Sequence, residues 1–143
     1  PSDVSLTIDV KNATFPNESW WADSNVTKLT LRGNVSNVIP TNCSNLTFNS
    51  TELSSINLSG QSFEYLSITN NTSLVNLNVG DNVNSFYFNN NPNVETFEGN
   101  PSIDNLMLSG SKIKTIEIPN SCKNVTLSNC KQLGSVFLIQ NHQ

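Results

Sequence analysis

The sequence predicts an all-β fold, a parallel β-solenoid with two parallel sheets and about six coils of about twenty residues behind an N-terminal cap. Three observations predict it. Apolar residues surface in triplets of the form Φ-x-x-Φ-x-Φ-x-x-(Asn/Ser/Cys), where Φ is apolar, and successive triplets from Leu53 onward start nine to eleven residues apart, so that every second start is about twenty residues on. Inside each triplet the last two apolar residues flank one polar residue, which is the period-2 alternation of a strand. No segment carries the i, i+3, i+4, i+7 spacing that a helix needs.

The first 25 residues stand apart. Val4, Leu6, Ile8 and Val10 alternate as in an ordinary strand, and the following "ATFPNESWW" breaks the pattern. An open solenoid end exposes core and unpaired strand edges, so residues 1–25 are expected to be a cap, with Trp20 or Trp21 lying over the first coil. The solenoid proper is expected over 26–143. Val26, Leu29 and Leu31 close on Asn34, while Val35 with Val38, and Cys43 with Leu46 and Phe48, fit more loosely. Leu53, Ile56 and Leu58 close on Gln61, and Phe63, Leu66 and Ile68 close on Asn71. Leu74, Leu77 and Val79 are followed by Asn82; Val83, Phe86 and Phe88 are followed by Asn91. Val94 and Phe97 continue the series, with Gly99 in the third slot and Ser102 closing it. Ile103, Leu106 and Leu108 close on Ser111, and Ile113, Ile116 and Ile118 on Ser121. Cys122, Val125 and Leu127 close on Cys130, and Leu133, Val136 and Leu138 on Asn141, so the last repeat is unfinished and the chain is expected to be a fragment of a longer ectodomain.

A single unit has too little apolar surface to form a core. Stacking coils at the strand spacing of about 4.8 Å places the Φ residues in ladders between two facing sheets. The closing Asn, Ser or Cys can then satisfy backbone groups at the corners, where no sheet partner exists.

Segments such as "LVNLNVGDN", "VTKLTLRGN" and "LSSINLSGQ" resemble the L-x-x-L-x-L-x-x-N segment of leucine-rich repeats. Ordinary members place one such segment in every 20–29 residues, whereas here one occurs at each half-turn. The doubling is similar to the two-strand repeats of bacterial leucine-rich repeat surface proteins and of Asn/Ser-rich ectodomains on oomycete receptor-like kinases. The resemblance implies recognition of a protein or glycan.

Composition narrows the function classes. Charged residues are 13% of the 143, the net charge is −4, and polarity comes from 25 Asn, 20 Ser and 12 Thr. This gives no basic footprint for nucleic acid and no attraction to an anionic membrane. No apolar run approaches the roughly 18 residues of a spanning helix. Sequons of the form N-x-[ST] begin at Asn12, Asn17, Asn25, Asn34, Asn42, Asn45, Asn49, Asn57, Asn70, Asn71 and Asn124, so a secreted or cell-surface glycoprotein is expected. The competing reading is an Asn-rich bacterial sequence in which sequons carry no message.

Catalytic constellations are hard to assemble. His142 is the only histidine, and there is no phosphate loop, H-E-x-x-H or paired C-x-x-C. Cys43, Cys122 and Cys130 occupy core or corner slots and read as small buried hydrophobes, with a Cys122–Cys130 disulfide as the alternative. The template puts Glu98 and Glu117 on one outward row, where they read as solvated carboxylates; a weak cation site or a glycosidase pair is the sharper reading. No cofactor or metal is expected.

The other outward face is more informative. Its rows run Lys28-Thr30-Arg32, Asn45-Thr47-Asn49, Tyr65-Ser67-Thr69, Ser85-Tyr87-Asn89, Asn105-Met107-Ser109 and Asn124-Thr126-Ser128. Tyr65, Tyr87 and Met107 are expected to form one oblique stripe, with the sequons at Asn45 and Asn124 flanking it. Tyr and Met suit a contact surface; the plainer reading is that they shield the sheet. The leading expectation is therefore a non-catalytic, monomeric recognition module of a receptor or adhesin. A glycosylated spacer or wall protein is the alternative, with ice binding as a minor variant.

Overall fold

Parallel strands and no helix make up the described residues, 4–14, 26–36, 43–96 and 102–139 of the computed structural model. In chain order they are β1 (Val4–Thr14), β2 (Val26–Ser36), β3 (Asn45–Thr51), β4 (Ser55–Asn57), β5 (Ser62–Thr69), β6 (Asn76–Asn78), β7 (Asn82–Asn89), β8 (Ser102–Ser109), β9 (Thr115–Pro119), β10 (Asn124–Ser128) and β11 (Ser135–Ile139). Seven of them form one sheet in the order β1-β2-β3-β5-β7-β8-β10, every neighbouring pair parallel. The opposite side carries two short sheets, β4-β6 and β11-β9, also parallel. The chain therefore winds as a β-solenoid of about five turns. They start at β3, β5, β7, β8 and β10, and the turn expected to open at Val26 is represented by β2 alone among the described residues.

The register follows from the spacing of the apolar residues. Leu29, Leu46, Leu66, Phe86, Leu106 and Val125 are successive partners across the long sheet, as are Leu31, Phe48, Ile68, Phe88, Leu108 and Leu127. Side chains of a strand alternate between faces, so a slip of one residue would expose both columns at once. Ile56, Leu58, Leu77, Val79, Ile116 and Ile118 meet them from the other side, and all are buried. The core is thus one layer of aliphatic and Phe side chains, with Phe86 and Phe88 packed edge to face at 6.0 Å between ring centroids.

The residues expected to form a cap supply a strand. β1 runs parallel to β2, with Leu6 opposite Leu29 and Ile8 opposite Leu31, and both side chains pack against the core. Arg32 reaches Asp9 at 3.5 Å across this pair. Trp20 and Trp21 lie outside the described residues. On the short side no strand between β6 and β9 lies among the described residues, which there cover 91–96. At the far end, the inward slots of the last turn are open. Val125, Val136 and Leu138 are exposed, Leu138 to 71%, because no described coil stacks on β10 and β11.

Corners are built by backbone conformation. Ser50, Asn70, Asn90 and Asn129 all have φ between 51° and 57°, and Gly110 stands in the same row at 58°. Asn tolerates this left-handed region better than other non-glycine residues, which accounts for its recurrence at the ends of the long strands. At the opposite corner Gly80 has φ 107°, and a Cβ there would lie 2.8 Å from the Gln61 carbonyl oxygen. Only glycine fits.

Two stability measurements test this account. Leu66→Ala removes a fully buried side chain from the middle of the stack and is expected to cost about 2–5 kcal/mol in denaturant unfolding, whereas Glu64→Ala on the exposed edge should be nearly neutral. Ser50→Asn places a better left-handed residue in the corner row and should raise stability by up to about 1 kcal/mol.

Candidate functional site

Two kinds of polar chemistry recur every turn, one buried and one exposed. The buried one lies just after the left-handed corner residues, at Thr51, Asn71, Asn91 and Ser111, all of them buried. The side-chain oxygen of Asn71 accepts from the Thr51 backbone N–H at 3.0 Å and from the Thr51 hydroxyl at 2.6 Å. Its Nδ2 donates to the carbonyls of Phe48 and Thr69 and to Asn91 Oδ1, each at 3.0 Å. Asn91 repeats the pattern, accepting from the Asn71 N–H at 3.0 Å and donating to the Ile68 carbonyl at 2.8 Å. The corner amides continue the sheet's hydrogen bonding where the chain turns away from it.

The closing residues expected to do this work divide into two groups. Asn71, Asn91 and Ser111 are buried corners, whereas Asn82 is exposed and reaches only Ser62 Oγ at 3.4 Å. Cys130 takes the ladder position one turn further and donates its S–H to the carbonyls of Ser128 and Leu108 at 3.2 and 3.7 Å. Cys43 and Cys122 make the matching bonds at the start of the long strands, to the carbonyls of Asn45 and Thr27 and of Asp104 and Asn124. All three thiols are free. Burial pushes the Cys43 and Cys122 thiols above their ordinary range, against the lowering effect of backbone hydrogen bonds.

The expected acceptors of glycans have different surroundings. Asn57 is exposed, its Oδ1 bonded to the Ser59 N–H, and Asn70 is exposed, accepting from Asn90 Nδ2 at 2.8 Å. Asn71 is 0% exposed, and its Nδ2, the atom that would carry a sugar, is committed to the ladder, which favours Asn70 of the two overlapping sequons. Asn34, Asn45 and Asn49 are half-buried, and Asn45 Oδ1 is buried without a hydrogen-bond partner. Asn12 lies on β1, and Asn17, Asn25 and Asn42 fall outside the described residues. Part of the asparagine abundance therefore has a structural cause, in the ladder and in the left-handed corners.

The exposed face of the long sheet follows the expected rows. Thr30, Thr47, Ser67, Tyr87, Met107 and Thr126 are successive partners, and so are Lys28, Asn45, Tyr65, Ser85, Asn105 and Asn124. Tyr87 stands directly beside Met107, and Tyr65 lies one strand back and one row across, which makes the oblique stripe. Tyr65 is 39% and Met107 42% exposed, Tyr87 is half-buried, and Ser67 is buried. Tyr65, Tyr87 and Met107, with Ser85, Asn105, Asn124 and Thr126, border a shallow depression of about 310 Å³ whose walls are mainly apolar. A chain of side-chain bonds runs along its rim: Asn124 Nδ2 donates to Asn105 Oδ1 at 2.6 Å, and Asn105 Nδ2 donates to Ser85 Oγ at 3.3 Å. Asn124, beside the stripe on the next strand, also lines the depression, because β10 stacks directly on β8.

A larger groove of about 510 Å³ lies on the short side, bordered by Ile56, Asn57, Val75, Asn78, Glu95 and Thr96. Glu95 within it is paired to Lys114 at 3.5 Å. Glu117 is exposed on β9 opposite Phe137 of β11, and Glu98 lies outside the described residues. Among the described residues, no three His, Cys, Asp or Glu side chains are grouped to hold a metal. Comparison with protein-family models, curated proteins and solved structures finds no match to this chain.

The ladder is tested by substitution. Asn71→Ala orphans the Phe48 carbonyl and the Thr51 N–H and is expected to cost about 2–6 kcal/mol, at about 1–3 kcal/mol for each stranded group. Asn71→Asp is expected to be worse at neutral pH, since a carboxylate faces the carbonyls of Phe48 and Thr69 and Asn91 Oδ1. Its folded-state pKa is raised, so the variant loses stability as pH rises above the ordinary carboxylate value of about 4 and regains it on acidification. For the thiols, alkylation at pH 8 should leave Cys43 unmodified in the folded protein and modify it on unfolding.

Proposed function

We propose that the chain is a non-catalytic recognition module of an extracellular receptor or adhesin, binding a protein or glycan through the long-sheet face around Tyr65, Tyr87 and Met107. One observation carries this reading: a sheet of Asn, Ser and Thr rows holds two tyrosines and its only methionine together around an apolar depression. Aromatic and Met side chains are enriched where proteins make contact, and a face otherwise lined with small hydroxyls and amides offers directional hydrogen bonds around them. The repeats read as a two-strand variant of leucine-rich repeats, a reading that rests on the segments quoted above and on the doubled strand per turn. The surface location rests on sequons at the exposed Asn57, Asn70 and Asn124.

The test is differential binding. The parent, Tyr87→Ala and Asn57→Ala are screened side by side on immobilised glycans and secreted proteins, with melting curves as a control for folding. A true ligand should lose about 1 kcal/mol or more of binding with Tyr87→Ala, with the thermal midpoint nearly unchanged, and nothing with Asn57→Ala on the opposite side. Binding that survives Tyr87→Ala and fails with Asn57→Ala would move the site to the short-side groove.

A further inference from the structure

The geometry points to a glycan on Asn124 that folds back over the Tyr65–Tyr87–Met107 depression and so regulates the face proposed for recognition. The inference rests on that reading and on passage through a glycosylating compartment. Asn124 and Thr126 are the first and third residues of a sequon, both exposed and both on the outward side of β10. Both also border the depression, in register with Asn105 and Met107 of β8. A sugar attached at Nδ2 therefore starts at the edge of an apolar seat rather than in open solvent.

Transfer forms a bond from Nδ2 to the anomeric carbon of an N-acetylhexosamine delivered as a lipid diphosphate. The anomeric C–O bond breaks, the diphosphate leaves with the electron pair, and the amide gives up one of its two protons. The remaining N–H can still donate to Asn105 Oδ1, the bond that Nδ2 makes at 2.6 Å. That bond holds the stem toward β8 and β7, where Met107 and Tyr87 stand side by side. The carbon face of a pyranose suits an aromatic and thioether surface, while its hydroxyls and N-acetyl group find the amides and hydroxyls of Asn105, Ser85 and Thr126. By contrast, Asn57 and Asn70 lie away from the depression, and their glycans would leave it open.

The experiment compares the whole chain made in a glycosylating eukaryotic host with the same chain made in bacteria. Glycopeptide mapping should find Asn124 occupied. The probe for the seat is N,N′-diacetylchitobiose, followed by NMR on the Tyr ring and Met methyl signals. Added to the bacterial protein, it should shift Tyr65, Tyr87 and Met107; the shifts should vanish in Tyr87→Ala. In the glycosylated parent the disaccharide should move none of these signals, and Asn124→Gln from the same host should restore the response. An unoccupied Asn124 beside an occupied Asn57 or Asn70 overturns the modification and leaves the recognition reading standing. A protein without glycan at any sequon overturns the modification and the extracellular reading together. An occupied Asn124 with tyrosines that still respond to the disaccharide overturns the seat alone, as does a bacterial protein that does not respond at all.

Discussion

A solenoid with a one-layer core depends on how it turns its corners. On the flat sheets each peptide group finds a partner in the coil above or below, but at a corner the backbone rotates away and its N–H and C=O groups lose that partner in a place where water cannot reach. Asn71 and Asn91 meet this constraint with their side chains. Each carries a carbonyl for the preceding turn's N–H and an NH₂ for the preceding turn's carbonyl, so the amide acts as a spare peptide group one turn along. The ladder fixes the rise and the register of the turns, and with them the alignment of every column in the core and every row on the surface.

Toward its ends the ladder changes chemistry. Thr51 and Ser111 continue the row with hydroxyls, and Cys130 with a thiol, which is a weaker donor and leaves its corner half-exposed. Core residues stay buried from Leu29 to Ile118 whichever side chain closes the corner, whereas Val125, Val136 and Leu138 are open because no described coil stacks on β10 and β11.

The face proposed for recognition is a by-product of the same order. Once the turns are locked at a fixed register, outward residues twenty positions apart become neighbours, and side chains scattered through the sequence become one surface. Tyr65, Tyr87 and Met107 meet only because β5, β7 and β8 are adjacent strands of one sheet. The surface they make is apolar on a sheet whose other outward residues are mostly amides and hydroxyls. An apolar patch framed by hydrogen-bonding groups is the usual form of a contact site, which is why the proposal centres there.

The alternation of apolar residues determined the strands, the inward columns and the outward rows, because a period of two leaves a buried strand no choice of face. The all-β solenoid and the stripe from Tyr65 to Met107 were therefore legible in the sequence. What the sequence left undecided lay at corners and ends. The template gave every closing residue the same role, yet Asn71 is buried and Asn82 exposed, since burial there depends on which corner the next turn covers. The doublets Asn70–Asn71 and Asn90–Asn91 were the available signal: a left-handed residue followed by a ladder amide. The same limit applies to the sequons. A tripeptide says which atom can accept a sugar, but stacking alone decided that Asn71 is sealed in the ladder and that Asn124 opens onto the depression.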